Sequence, residues 1–299
     1  MMFNKNIPKE YSKRINAIVN FILKNPKEEL SLNKLSGIAN YSPFHFQKIF
    51  KQVTGESPKQ FIIRVRLENS AHFLITHRHK SITEIALDSG FASPSTFARA
   101  FKNYFGISAD ELRNFSPKEH ITLRQSISSK KNTDIQFFAN KYDTKYWEMN
   151  LKVEINKITS IRAIFVNTPL SDTNKIQDGY KKLIQSADAH ELLTSDTKFI
   201  GIINPHAGLY QAGVTFQSHQ LPPKDMNTTE IDGGKFAICK IKGDTTQTFH
   251  TFHAFYELWL PKSPYRIKQP YAFEILSQNP LTKPYYNIPR EIYIPIEPA

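Results

Sequence analysis

One stretch of this chain is written twice. SPFHFQKIFKQVTGESP (42–58) returns as SPSTFARAFKNYFGISA (93–109) when the window slides 51 places. Ser42/Ser93, Pro43/Pro94, Phe46/Phe97, Phe50/Phe101, Lys51/Lys102, Gly55/Gly106 and Ser57/Ser108 coincide. A serine followed by proline is a helix start, and glycine past the last periodic residue is a stop. The phenylalanines fall on one helical face and the lysine on another. The chain is therefore constrained to build one amphipathic helix twice, at a fixed separation.

The surroundings of the repeat are helical as well. Tyr11, Ile15, Ile18, Val19 and Ile22 recur at helical spacing until Asn25-Pro26. Ser31 opens a short helix to about Ala39, with Leu32, Leu35 and Ile38 expected to face inward. A tight turn at Asn40-Tyr41 leads into the helix that starts at Ser42 and runs to about Thr54. Pro58 starts a longer helix to about Thr76, offering Phe61, Ile62, Val65, Leu67 and Leu74 for packing. Ser81 caps the next, Gly90 breaks it, and Phe91 fills the turn before Ser93-Pro94. A last short helix follows Ser108. Helix, short turn, helix occurs twice, which is a tandem helix-turn-helix pattern.

Charge follows the repeat. Residues 1–125 hold 19 basic and 10 acidic side chains, a net of +9 within a total of +12. Such an excess attracts a polyanion. The buried stripes leave Phe44, His45, Gln47, Lys48 and Lys51 on the other faces of the first repeated helix. They leave Ser95, Thr96, Arg99 and Lys102 on those of the second. Double-stranded DNA is the expected partner, because residues near the start of the second helix of a helix-turn-helix reach base edges. The Arg99 guanidinium suits guanine O6 and N7, and Gln47 suits adenine or a phosphate. Phe44 and Thr96 suit a thymine methyl, and Lys51 and Lys102 suit phosphate.

Residues 82–113, ITEIALDSGFASPSTFARAFKNYFGISADELR, resemble the signature of the AraC/XylS family of bacterial transcription regulators. Ile85-Ala86, Gly90-Phe91, Ser93, Phe97, Phe101-Lys102, Gly106 and Arg113 carry the resemblance, while Ala109 stands where the family usually has proline. The resemblance covers about residues 9–115. It implies one polypeptide reading two successive major grooves, with the 58–76 helix as spacer and RNA polymerase as a further partner. It assigns reading positions to Phe44, Gln47, Lys48, Ser95, Thr96 and Arg99.

Beyond about residue 150 the pattern changes. Residues 116–150 are polar, and SSKKNTD (128–134) reads as linker. Strand-like runs follow at 161–168, 198–204, 211–216, 234–241, 271–277 and 290–296, interrupted by helical stretches near 174–192 and 246–260. The order β-α-β-β, β-α-β-β predicts a duplicated α+β domain over 151–299, a sheet backed by helices. The whole is expected to be multidomain, all-α over 9–115 and α+β after the 116–150 linker.

Within the second half, Glu274 is a carboxylate in an apolar strand and needs a partner if buried. Lys268, Lys283, a tyrosine hydroxyl or a ligand cation are the candidates. Tyr256, Trp259 and Tyr271 are pocket candidates because their polar tips want partners. GGKFAICKIKGD (233–244), YELWLP (256–261), PYAFEIL (270–276) and REIYIPI (290–296) resemble the GyrI-like effector-binding domain found behind regulators of multidrug response. The resemblance implies a small, lipophilic, cationic effector facing Glu274, with Trp259, Tyr256, Tyr271 and Phe273 around it.

Other classes are disfavoured. Cys239 is the one cysteine, so no intrachain disulfide or Cys/His zinc spacing exists. His250 and His253 are three apart but lack a carboxylate at matching spacing, so no metal site and no cofactor are expected. No apolar run approaches the ~18–20 residues of a membrane span, and residues 1–10 carry no signal-like core. The expectation is a soluble cytoplasmic regulator with no catalytic residues. Two alternatives stay open: a GyrI-like half that hydrolyses small molecules, and an architectural DNA-binding protein without ligand control.

Overall fold

The computed structural model describes residues 8–115, 119, 144–205, 208–224, 226–241 and 245–299. The chain divides into two compact units, Met1–Ile127 and Ser128–Ala299.

The first unit is helical: α1 (Lys9–Lys24), α2 (Leu32–Ala39), α3 (Pro43–Thr54), α4 (Pro58–Thr76), α5 (Ile82–Asp88), α6 (Pro94–Phe105) and α7 (Ala109–Asn114). Serine caps set most of these starts. Ser31, Ser42, Ser57, Ser81, Ser93 and Ser108 each accept a backbone N–H three residues on. At Ser57, Ser81 and Ser108 the bond is reciprocated by Gln60, Glu84 and Glu111, forming capping boxes. Each cap contributes about 1 kcal/mol. Gly55 and Gly106, at φ 84° and 79°, end α3 and α6 in the left-handed region that suits glycine.

The two turns differ by two residues. Asn40, at φ 56°, and Tyr41 carry the chain from α2 to the Ser42 cap. Ser89, Gly90, Phe91 and Ala92 separate α5 from the Ser93 cap. Phe46, Ile49, Phe50 and Val53 of α3 are buried, as are Phe97, Phe101 and Phe105 of α6. Helix α4 is flanked from both sides. Phe61 meets Phe50 edge-on at 5.6 Å, while Leu67, Ala71 and Leu74 join the core of Ile85, Phe97 and Phe101. Burial on two sides explains why α4 is apolar on more than one stripe. It also takes in Glu68, which accepts from the Tyr104 hydroxyl at 2.8 Å. In α2 the expected inward face is corrected: Leu35 is buried, but Leu32 and Ile38 are exposed. An eight-residue helix contacting α1 and α3 has room for one core row only.

Within the span read as linker, α8 (Thr144–Asn150) is a helix, while SSKKNTD lies outside the described residues. The rest of the second unit is one antiparallel sheet with two main helices. Its strands are β1 (Glu154–Ile158), β2 (Ile161–Pro169), β3 (Phe199–Asn204), β4 (Leu209–Thr215), β5 (Thr228–Ile231), β6 (Gly234–Ile241), β7 (Tyr265–Ile267), β8 (Ala272–Leu276) and β9 (Arg290–Pro298). Their order is β1-β6-β9-β8-β3-β4-β2-β5, with β7 on the end of β9. The short strands β1, β5 and β7 are additions to the sequence reading.

This order forces curvature. β1 and β2 lie near opposite ends of the sheet, yet only Thr159-Ser160 joins them. β5 and β6 are likewise linked by Asp232-Gly233. The ends must therefore approach, and the sheet curls on itself. Gly233 marks the meeting point: a Cβ there would sit 3.0 Å from both the Ile158 carbonyl oxygen and the Ser160 nitrogen. Among the described residues the inner face is filled mainly from the strands, including Ile200, Ile202, Phe236, Ile238, Phe273 and Tyr293. The other face takes the helices. α9 (Thr173–Ala189) packs Ile176, Tyr180, Leu183 and Ile184 on Ile164, Val214 and Leu276. α10 (Thr245–Ala254) continues through a π turn, Phe255–Trp259, and places Phe255 on Ala237, Cys239, Ala272 and Ile292. Phe252 packs against both of these cores.

Candidate DNA-reading surface and buried carboxylate site

On α3, Phe44, Gln47, Lys48 and Lys51 are exposed, while Phe46, Ile49 and Phe50 lie beneath. On α6, Ser95, Thr96, Arg99 and Lys102 are exposed over Phe97 and Phe101. Among the outward positions, those related by 51 match in exposure with one exception. His45 is half-buried, because its ring packs edge-on against Tyr11 and Tyr41 at 5.7 and 5.1 Å. Its counterpart Thr96 is exposed. Phe44 is 82% exposed at the start of its helix. The Ser95 and Thr96 hydroxyls lie 3.1 and 2.9 Å from the Ser93 cap oxygen, so the cap also orders the first turn of α6.

In the second unit the strand alternation separates residues that the sequence grouped together. Ala272, Glu274 and Leu276 point to the helix side of β8. Phe273, with Tyr271 and Ile275 packed beside it, belongs to the inner-face core. Tyr256 and Trp259 both lie in the π turn. Trp259 stacks on Phe255 at 5.0 Å and faces Tyr265 at 6.4 Å. Glu274 thus does not share a face with Tyr271 or Phe273.

Glu274 is fully buried and fully partnered. Tyr210 donates to its Oε1 at 2.7 Å and Tyr285 at 2.9 Å, and Arg290 Nη1 reaches the two carboxylate oxygens at 3.1 and 3.3 Å. Of the partners considered from sequence, the tyrosine hydroxyl holds. The cation is Arg290 rather than Lys268 or Lys283, both of which are exposed. Tyr180 of α9 extends the network, meeting the Tyr210 hydroxyl and the Ile200 carbonyl at 2.7 Å each. The Arg290 Nε–H donates to Ile288 O at 3.0 Å, its Nη2 to Tyr285 O, and its guanidinium lies 4.6 Å from the Tyr285 ring centre. The arginine is thereby nearly saturated.

Burial, reinforced by the Glu274 charge, pushes the phenols of Tyr180, Tyr210 and Tyr285 above their ordinary value of 10.0, so they remain donors. Burial opposes the charge on Arg290. Glu274, Tyr285 and Tyr210 outweigh it and raise the guanidinium further. Gly201, paired with Glu274 across β3 and β8, makes room for this arrangement. A Cβ at that position would lie inside the Tyr210 hydroxyl. Gln177 of α9 ties down the segment bearing Tyr285. It accepts from the Tyr285 N–H and donates to Pro280 O, at 2.6 Å each. A surface cleft of ≈ 430 Å³, lined by Thr173, Asn174, Gln177, Pro280, Lys283 and Tyr286 among others, lies beside that segment.

Sequence reasoning reached Glu274 but missed Tyr180, Tyr210, Tyr285, Arg290 and Gly201. Arg290 carried a signal, an arginine opening an otherwise apolar strand. Gly201 in the middle of FIGII carried another, since glycine inside a strand marks a close approach.

Histidines on α10 add a pH term. Burial, with His250 adding to it, lowers the His253 imidazole from 6.5 to about 4. The folded state therefore binds this proton less readily than the unfolded chain. The contribution of neutral His253 is complete above pH 6.5 and is lost as pH falls through about 4. Tryptophan fluorescence is expected to show stability dropping by about 2–3 kcal/mol across that window. Both tryptophans, Trp147 and Trp259, lie in the second unit, so this signal reports on it alone. A His253→Gln variant should flatten the profile; an unchanged profile would remove His253 as its source. Among the described residues no cluster of histidine, cysteine and carboxylate has the makings of a metal site. No helix there is long and apolar enough to cross a membrane.

Residues 35–114 match the family described as helix-turn-helix domain, and residues 151–297 match the GyrI-like small molecule binding domain. An uncharacterized HTH-type transcriptional regulator of Haemophilus influenzae is 36% identical over 101 residues, 34% of each chain. A second, from Staphylococcus aureus, is 28% identical over 191 residues, 62% of this chain and 25% of its own. The matches thus span about a third and a quarter of these relatives' lengths. Among solved structures, the DNA-binding domain of AdpA in complex with a target DNA is 27% identical. It covers 33% of this chain and 89% of its own, with a TM-score of 0.33. The C-terminal domain of EcmrR is 13% identical, covering 50% of this chain and all of its own, with a TM-score of 0.39.

Proposed function

We propose that this chain, which joins an AraC-type helix-turn-helix domain to a GyrI-like domain, is a ligand-responsive transcription regulator rather than an enzyme. The observation that carries the reading is the matched exposure of α3 and α6. Each has a serine cap, a buried phenylalanine stripe and an outward row of polar and basic residues. The pairs α2–α3 and α5–α6 are then tandem readers in a domain spanning 9–115, and α3 and α6 enter successive major grooves. Phe44, Gln47, Lys48, Ser95, Thr96 and Arg99 meet base edges. Lys51 and Lys102 meet phosphates, and His45 supports the first reader from behind. RNA polymerase is the partner that converts binding into an effect on transcription, and the cytoplasm is where this takes place.

The GyrI-like domain, 151–299 beyond the 116–150 linker, is the sensor. Its two β-α-β-β halves place strands in the same relative order, β3-β4-β2 and β8-β9-β6, which supports a duplication. The effector is a small, lipophilic cation directed at Glu274, with Tyr256 and Trp259 as aromatic walls. In the present arrangement Arg290 occupies the carboxylate. Admission of a cation therefore requires a second state in which the tyrosine and arginine donors give way. That difference between states is what lets a ligand shift an equilibrium.

Arg99→Ala is the direct test of the reader. A bidentate arginine–guanine contact is worth about 1–3 kcal/mol, roughly 5–150-fold in affinity, at the preferred site. The variant should lose that much on the preferred sequence while binding to random DNA falls far less. Unchanged sequence preference in a binding titration at fixed salt would remove Arg99 from the reading set.

A further inference from the structure

The first unit holds a junction between its halves that neither reading helix touches. Arg66 leaves α4 toward the loop between α1 and α2. Its Nε–H donates to Pro26 O at 2.9 Å and its Nη2 to Glu28 O at 2.8 Å. The turn between α5 and α6 closes over the same spot. Gly90 stands at φ 88°, and a Cβ there would sit well inside contact distance of Pro26 O and 2.8 Å from Arg66 Nε. Lys27, from the first loop, meets Asp88 Oδ1 at 2.8 Å, and Lys80 meets its other oxygen. Three elements therefore converge on one guanidinium: the loop that leads into the first helical pair, the shared helix α4, and the turn of the second pair.

Helix α4 alone is a weak gauge. A helix can bend and twist over its length, and small rotations at its middle become displacements at the outer helices. The Arg66 junction adds a second connection away from the α4 axis, and two connections remove the freedom that one leaves. We propose that Arg66 is a positioning residue that fixes the separation and phase of α3 and α6, and so sets the half-site spacing the protein accepts without touching DNA. This rests on the reading of α3 and α6 as tandem readers. One inserted base pair shifts a half-site by about 3.4 Å and turns it by roughly a tenth of a turn. A rigid pair of readers cannot follow that change, whereas a loosened pair can.

The test has two arms, each on the full chain, with circular dichroism checking that helix content is retained. In the first, spin labels at Gln52→Cys and Asn103→Cys, on exposed faces of α3 and α6, report their distance without DNA; Cys239 is buried. A narrow distribution should broaden in Arg66→Ala. It should broaden less in Arg66→Lys, whose ammonium cannot span both carbonyls in a fork. In the second arm, the preferred site is selected from random duplexes, then rebuilt with one base pair added or removed between its halves. The unlabelled protein with Arg66 intact should lose about tenfold or more, the scale of one mismatched pair. Arg66→Ala should lose no more than about threefold by the same measure. A distribution equally narrow in both variants overturns the clamp, whether or not the protein reads DNA. A broadened distribution with an unchanged spacing penalty overturns its role in specificity. Selection of a one-part site overturns the tandem reading, and the spacing role with it, while leaving the distance result standing.

Discussion

Replacing Arg290 with alanine should cost the second unit about 3–5 kcal/mol, the range for leaving one member of a buried ion pair without its partner. The reason lies in what remains. Glu274 is fully buried and would keep only the Tyr210 and Tyr285 hydroxyls as donors. The Ile288 and Tyr285 carbonyls would lose the guanidinium donors they now accept. Water entering the vacated volume would lower the cost without removing it. Urea unfolding followed by tryptophan fluorescence measures the change. A paired variant, Arg290→Met with Glu274→Leu, removes both charges and should recover most of the loss, since apolar replacement of a buried pair is often neutral or better. A loss below ~1 kcal/mol in Arg290→Ala would mean that the pair is not the closed arrangement described here.

Gly201→Ala is the second large effect and acts through shape. Its added methyl would overlap the Tyr210 hydroxyl and ring edge, deep in a strand bonded on both sides. Backbone on both flanks leaves little room for β3 to shift, so the Tyr210 ring must move. Moving it breaks the bonds to Glu274 and Tyr180. Overpacking costs about 1–3 kcal/mol and an orphaned buried acceptor a similar amount, giving a loss of roughly 3–5 kcal/mol. The mechanism predicts non-additivity. In a Tyr210→Leu background the ring is gone, and Gly201→Ala should then cost less than half as much in the same unfolding assay. Equal costs in both backgrounds would point to strain in β3 itself.

The sensor proposal draws on the same network from the other direction. A site that must admit a cation cannot also be held shut by a large margin. Variants that loosen it mildly, such as Gln177→Ala on the Tyr285 segment, are where coupling between opening and binding would surface.

Much of this was legible in the residues. The repeat, its serine caps and its glycine stops fixed the positions of α3, α4 and α6, because caps and stops act within a few residues of the chain. Outward exposure at Phe44, Gln47, Arg99 and Lys102 followed from the phenylalanine rows, since a buried stripe determines which positions are left outside. Glu274 was singled out as a carboxylate among apolar neighbours. Its partners were not, because Tyr210, Tyr285 and Arg290 reach it from β4, a short turn and β9, with Tyr180 of α9 behind Tyr210, and no local pattern encodes which strands become neighbours. The same holds for the split of Glu274 from Phe273. Alternation placed them on opposite faces, but only the curl of the sheet made one face a closed core and gave the other to the helices. Arg66 is the plainest case. In sequence it is one more charge on a helix, and its work depends on a loop 40 residues before it and a turn 24 after. Local chemistry chose the elements; long-range packing, in which distant backbone groups compete for one guanidinium or one carboxylate, decided what they hold.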